Sequence, residues 1–311
     1  MIDVRKLAML REVALRGGIT GAARSLGVSA SGVSQQITRL ETQYGVTLLE
    51  AEGRGVRLTR AAERLVGQAE RVLALLEEAE GELIASKGVV EGVVQLGAFH
   101  TFATGFLAAT TRHLERIAPG LTVRFTQIDS DEALEQVLAR RVDIVVADEY
   151  PGYPISPVPG LVRSELGQEP ILAYPPGGAA ADPRTVAWAM EPGGTDAHRW
   201  ARAACRSAGF EPKVQFESPD PYVHRRLVEQ GIAAALLPVT VADGLRPWDS
   251  SEAGLPERLF RTLLTFVRRG SERAPAVRAC RTAIELAVGD QPGVRSNRPP
   301  TGEQTHTVQS P

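Results

Sequence analysis

The sequence predicts an α/β chain in three parts: an N-terminal winged helix-turn-helix, a long linker helix and a two-lobed body. Three observations carry this. Short amphipathic helices, a glycine turn and a glycine-bracketed hairpin occupy residues 1–59, an apolar stripe of period 3.5 follows, and strands alternate with helices from residue 89 onward.

The chain has 311 residues, 43% apolar and 23% charged, ordinary globular usage that excludes a disordered or collagen-like polymer. No apolar run reaches the roughly 18–20 residues of a membrane helix. Arg5, Lys6, Arg11 and Glu12 interrupt the opening segment where a secretory signal would be apolar, so the expected location is the cytoplasm, with no membrane partner. Cys205, Cys280 and five scattered histidines lack metal-ligand spacing, so no disulfide framework, metal or cofactor is expected. The formal charge of −2 hides an asymmetry. Residues 1–60 carry nine basic and five acidic side chains, and the remainder carries 26 basic and 32 acidic, so a basic head sits on an acidic body and suits a polyanion.

In the head, Leu7, Leu10, Val13 and Ala14 recur at helical spacing and Gly17-Gly18 ends that helix; Thr20 is expected to cap the next. The small-sided segment 21–26 and Gly27 then make a short helix and its turn, and Ser29 caps a third helix. On that helix Val33, Ile37, Leu40 and Tyr44 share one face, expected in the core, while Ser31, Gln35 and Thr38 face the other way with Ser34 and Arg39 alongside. A glutamine amide can read an adenine edge in the major groove with two hydrogen bonds, and hydroxyls can serve bases or phosphates. Short helix, glycine turn and polar-faced helix together make a helix-turn-helix. Residues 52–59 then form a hairpin whose Arg54 and Arg57 are expected at the tip of a wing, along the phosphates. The candidate DNA contacts are Ser29, Ser31, Ser34, Gln35, Thr38, Arg39, Arg54 and Arg57.

These residues, from Thr20 through the run Ser29-Ala-Ser-Gly-Val-Ser-Gln-Gln-Ile-Thr-Arg-Leu-Glu41 to Gly53-Arg-Gly-Val-Arg-Leu-Thr59, resemble the winged helix-turn-helix of LysR-type transcriptional regulators. Ala30 and Ser31 stand where that family usually has glutamine and proline, and Ala51 where it usually has arginine. The resemblance implies a sequence-specific regulator that binds double-stranded promoter DNA as a homodimer or homotetramer, bends its operator and answers to a small-molecule effector.

Thr59 can cap the next helix, on which Ala62, Leu65, Ala69, Val72, Leu76, Ala79 and Leu83 alternate in steps of three and four. Such a seam over residues 60–88 is expected to protrude and pair with a second copy, and LysR-type regulators are similar in dimerising through this helix.

The body reads as strand 93–97, helix 102–117, strand 121–127, helix 131–140 and strand 143–147, followed by a Pro- and Gly-rich crossover at 149–160. A second series follows: strand 170–174, helix 196–208, strand 214–216, helix 221–230 and buried run 232–237. Strand 259–268 and helix 274–288 complete it. LysR-type effector domains are similar in pattern, a two-lobed periplasmic-binding-protein-like arrangement. That places lobe I at 89–162, lobe II at 163–262, a return to lobe I at 263–288 and a disordered tail at 289–311.

Ligands of open α/β sheets sit beyond the carboxyl ends of strands. This nominates Phe99, His100, Thr101, Ile128, Asp129, Ser130, Asp148, Glu149, Thr195, Asp196, Glu217 and Ser218 as effector contacts, with Thr101 expected to favour an anion at a helix start. No nucleophile elbow, phosphate loop, zinc helix or dinucleotide fingerprint appears, so no enzymatic activity is expected. Some members of the family sense peroxide through a cysteine pair; Cys205 resembles one partner, but Asp196 stands in the stretch of the other and a thiol switch is not expected. The alternative is a cytosolic small-molecule binding module without DNA function.

Overall fold

The computed structural model describes residues 2–53, 55–86, 90–178, 181–249, 254–256 and 258–296. The head comprises α1 (Val4–Leu15), α2 (Ile19–Leu26), α3 (Ala30–Tyr44) and the antiparallel hairpin β1 (Leu49–Glu52) and β2 (Gly55–Leu58). Leu10, Val13, Ala22, Val33, Ile37 and Leu40 are buried together as its core. Gly18, not Thr20, is the N-cap of α2, so that helix starts two residues earlier than the threonine reading required. Gly27 ends α2 at φ 68°, a left-handed conformation that glycine adopts without a Cβ penalty and that turns the chain into α3. Tyr44 departs from its expected place: it lies in the last turn of α3, past the core, and is exposed.

The helix α4 (Arg60–Ala85) does not simply protrude. Ala62 belongs to the head core, Ala69 is fully buried, Leu65 is half-buried, and Leu73 and Glu77 are buried, so one flank of the expected seam packs inside the protomer. The other flank stays outside.

The body is built on one nine-stranded sheet that includes β3 (Glu91–Ala98), β4 (Gly120–Gln127), β5 (Ile144–Glu149), β6 (Leu161–Tyr174), β7 (Ala187–Met190), β8 (Lys213–Glu217), β9 (Ala234–Pro238) and β10 (Phe260–Arg268) in the order β4-β3-β5-β10-β6-β9-β7-β8. The helices are α5 (His100–Gly105), α6 (Leu107–Ile117), α7 (Ser130–Leu138), α8 (Asp196–Ser207), α9 (Pro221–Glu229) and α10 (Pro275–Gly289). The expected single helix over 102–117 is two, broken at Phe106, whose ring stacks on Phe102 in the lobe I core.

The lobes meet within strands. Strand β6 pairs with β10 as far as Pro170 and with β9 from Ile171, so it runs through both lobes, and the proposed boundaries at 162 and 262 fall inside β6 and β10. Lobe I buries Leu96, Leu114, Ile144 and Ile284 on one side of its sheet and Val137, Leu138 and Phe266 on the other. Lobe II buries Trp188, Met190 and Cys205 on one side and Val228, Ala235 and Leu237 on the other.

The tail is ordered further than expected. Residues β11 (Arg295–Ser296) pair with Gln168 and Gly167 of β6, where a Cβ on Gly167 would lie 2.5 Å from the Arg295 carbonyl oxygen. The close approach requires glycine. The rest of the expected disordered segment, 297–311, lies outside the described residues.

Candidate DNA interface and interlobe cleft

On α3, Ser29 Oγ accepts the amide of Gly32 at 3.0 Å and lies 3.1 Å from Ser31 Oγ, so the predicted cap forms and draws one predicted contact into the helix start. Gln35, Thr38 and Arg39 are exposed and Ser34 is half-buried, as the helical spacing requires. Glu41 ties this helix to the wing: Oε1 accepts the amides of Leu48 and Leu49 at 2.7 and 3.0 Å. Nothing in the spacing pointed to that carboxylate. Arg57 is not at the wing tip. It sits mid-strand opposite Glu50, 2.8 Å from that carboxylate and 3.5 Å from Glu52, so its charge is partly used within the hairpin. Arg54 lies outside the described residues.

The head rests on its own body through α1, not α3. Arg11 Nη2 donates to the Leu138 carbonyl at 3.0 Å, Arg16 pairs with Glu135, and Leu15 packs on the lobe I core. The predicted reading face stays free. Thr59 caps α4 as expected, accepting the amide of Ala62 at 3.2 Å. Beyond the head, Val72, Leu76 and Leu83 are 37, 42 and 72% exposed, and with exposed Ala79 they form an open stripe at steps of four, three and four.

A cavity of about 240 Å³ opens between the lobes. Phe99, His100, Thr101, Asp129, Ser130, Asp148, Glu149, Thr195 and Asp196 line it; Ile128, Glu217 and Ser218 do not. Ile128 turns into the lobe I core against Gly97, Glu217 ends the edge strand β8 and is exposed, and Ser218 accepts the amide of Asp220 at 3.1 Å. Thr101 is buried and its hydroxyl accepts Arg261 Nη2 at 2.8 Å.

Arg261 had no sequence signal, because it lies inside a strand and not after one. Its guanidinium reaches Glu169 at 2.6 and 2.8 Å and Asp148 at 3.1 Å, and lies 4.9 Å from the centre of the Phe99 ring. Asp148 also accepts Ser130 Oγ at 2.8 Å and the Tyr150 hydroxyl at 3.2 Å. Burial, and then Asp148 beside it, push the Tyr150 hydroxyl well above the usual tyrosine range. Tyr150, Trp200 and Glu191 also line the cavity and were missed. Glu191 follows β7, a strand of four residues absent from the sequence reading; recognising it would have nominated Glu191 by the carboxyl-end rule.

Cys205 and Cys280 are both buried, and burial pushes each thiol up to about 12, which leaves little thiolate at neutral pH. Among the described residues no group of three or more His, Cys, Asp or Glu could hold a metal, and no helix is long and apolar enough to cross a membrane.

A winged helix-turn-helix with an unobstructed polar helix, carried on a helix beneath a two-lobed cavity, defines a ligand-responsive DNA-binding regulator. Residues 4–63 match the bacterial regulatory helix-turn-helix domain of the lysR family and residues 87–287 match the LysR substrate binding domain. The chain belongs to the LysR family of transcriptional regulators, whose members are not enzymes. It is 27% identical over 295 residues, 89% of this chain and 94% of the relative, to the probable HTH-type transcriptional regulator LrrA of Synechococcus elongatus. It is 25% identical to the HTH-type transcriptional activator AaeR of Escherichia coli, covering 87% of this chain and 81% of that one. The fold matches full-length OxyR from Pseudomonas aeruginosa at TM-score 0.61 and 18% identity, covering 96% of this chain and 99% of that chain. Full-length CbnR in complex with its target DNA matches at TM-score 0.50 and 22% identity, covering 92 and 99% of the two chains.

Proposed function

We propose that this regulator reads its operator with Gln35, flanked by Ser31 and Thr38, while Ser34, Arg39, Arg54 and Arg57 engage phosphates. The observation that carries this is the exposure of the Gln35 face while α1 takes up the contact with the body. The open stripe Val72, Leu76, Ala79 and Leu83 pairs two copies, so that two heads reach a two-fold operator, and further pairing makes the tetramer. An effector enters the interlobe cavity and changes the spacing of the heads. The protein works in the cytoplasm.

Footprinting on the intergenic DNA beside its own gene, across a salt series, tests the reading. Protection of a near-palindromic site with affinity falling steeply in salt is the expected result. Uniform, salt-insensitive or absent binding would leave the chain a small-molecule binding module and overturn it.

A further inference from the structure

Resting on the reading of the interlobe cavity as the effector site, we infer that its effector is a small cation, a protonated amine or amidine on a flat apolar body, with Glu191 as its counter-ion. The cavity's size, just under the roughly 300–1,000 Å³ of drug-sized ligand sites, limits the occupant to a small molecule.

Charge decides the class. Asp129, Asp148, Glu149, Glu191 and Asp196 line the cavity, against one guanidinium, that of Arg261. That cation is already spent. Two carboxylates, Glu169 and Asp148, and the Thr101 hydroxyl take four of its five N–H groups, so the Arg261 cluster is net negative toward anything entering. Glu149 is held by Arg163 and by the Ile155 amide, and Asp196 by Arg199. Among the described residues the side-chain carboxyl groups of Asp129 and Glu191 have no hydrogen-bonding or ionic partner, although the Glu191 carbonyl meets His198 Nδ1 at 2.7 Å, and of the two Glu191 is the one half-buried in the wall. An anion here would meet carboxylates with no free counter-charge. At Thr101, where an anion was expected at the helix start, the hydroxyl and the nearest guanidinium already satisfy each other.

A second observation points the same way. His224 lines the cavity, is 3% exposed, and its Nε2 has no hydrogen-bond partner. Burial pulls the ring below its usual range, so it is neutral, and with its proton on Nδ1 the Nε2 lone pair accepts an N–H from the occupant. A buried polar atom left unpaired destabilises the protein, and a donor ligand removes that cost. The rest of the wall suits such a ligand. Tyr150 and Trp200 meet at 5.0 Å between ring centres, and aromatic faces attract desolvated cations.

Calorimetric titration of the full-length protein tests this with four probes: phenethylamine, benzamidine, phenylacetate and 2-phenylethanol. The amine or the amidine is expected to bind at least tenfold more tightly than the carboxylate and the alcohol, and to lose at least tenfold in Glu191→Gln, with folding checked by circular dichroism. Equal or tighter binding of phenylacetate, or cation binding unchanged in Glu191→Gln, overturns the cationic assignment. If a neutral or anionic probe binds best and Ala197→Trp, which fills the cavity, abolishes that binding, the cavity reading stands and the cation falls. If no probe shows binding that Ala197→Trp removes, the cavity reading falls and the inference with it.

Discussion

Arg268, at the end of β10, holds its Nε 3.3 Å from both carboxylate oxygens of Glu77 on the linker helix, and both side chains are buried. The remaining guanidinium nitrogens donate to the carbonyls of Val137 and Val142 at 3.2 and 2.9 Å and to Asp143 at 3.1 Å. Arg140 reaches the same glutamate from a left-handed backbone at φ 57°. One carboxylate on α4 therefore couples the linker to α7, β10 and the segment between α7 and β5.

Removing that carboxylate leaves the Arg268 Nε donor unpaired in the interior and Asp143 as the guanidinium's remaining ionic partner, a change that costs about 1–3 kcal/mol. Glu77→Ala is expected to lower stability by that order in chemical denaturation and to loosen α4 in hydrogen exchange. Gly270→Ala is an independent probe of the same junction, because a Cβ there would collide with the Ala74 carbonyl and the backbone sits at φ 95°. A loss under about 1 kcal/mol in both variants would mean the helix is not anchored here.

The open stripe on α4 predicts oligomer behaviour separately from folding. Leu76→Asp with Leu83→Asp places charges on side chains that are exposed in the protomer, so its own core is untouched. Light scattering coupled to size exclusion is expected to show a smaller species with unchanged circular dichroism. An unaltered mass would move the pairing surface elsewhere.

At the DNA interface Gln35→Ala removes an exposed amide that engages none of the described residues, so its effect is read on DNA. The expected loss is about 1–3 kcal/mol of operator preference, with the salt slope of nonspecific binding retained. Equal losses on operator and random DNA would make Gln35 a general contact and not a base reader.

The head was legible in the sequence because each element is set locally, by Gly27 in the turn, Ser29 at the cap and Val33, Ile37 and Leu40 on one face. Tyr44 failed that periodicity because a helical face continues past the point where the domain has anything left to cover it with. The seam on α4 was correct in period, yet periodicity cannot say which flank meets the protomer itself. Ala62 and Ala69 were taken inward, and Leu76 and Leu83 were left out. In the cleft, the strand-end rule found Asp129, Asp148 and Thr195 but missed Arg261 and Glu169. Their meeting depends on antiparallel pairing of strands about ninety residues apart. Glu191 was lost with β7, too short and too alanine-rich to show alternation.

Glu191 makes the last prediction, in pH. Burial first, then Asp148, push its carboxyl from 4.5 up to about 8; Arg261 opposes this, and Asp129 and Asp220 add to it. A folded-state value above the unfolded one means that the native protein holds a proton the unfolded chain has released. The associated stability is fully present below pH 4.5 and is lost as pH rises toward 8. Glu191→Gln, which cannot ionise, is expected to flatten the thermal midpoint between pH 5 and 8 (about the span between the two values) and to gain most over the parent at the upper end. Binding carries the opposite slope. A cation that pairs with the ionised carboxylate must expel the proton, so phenethylamine affinity is expected to rise by up to about tenfold per pH unit below 8 and then level off. Calorimetry in buffers of different ionisation enthalpy should register close to one proton released per amine bound at neutral pH. A pH-independent affinity with no proton released would mean that Glu191 neither holds the proton nor meets the ligand.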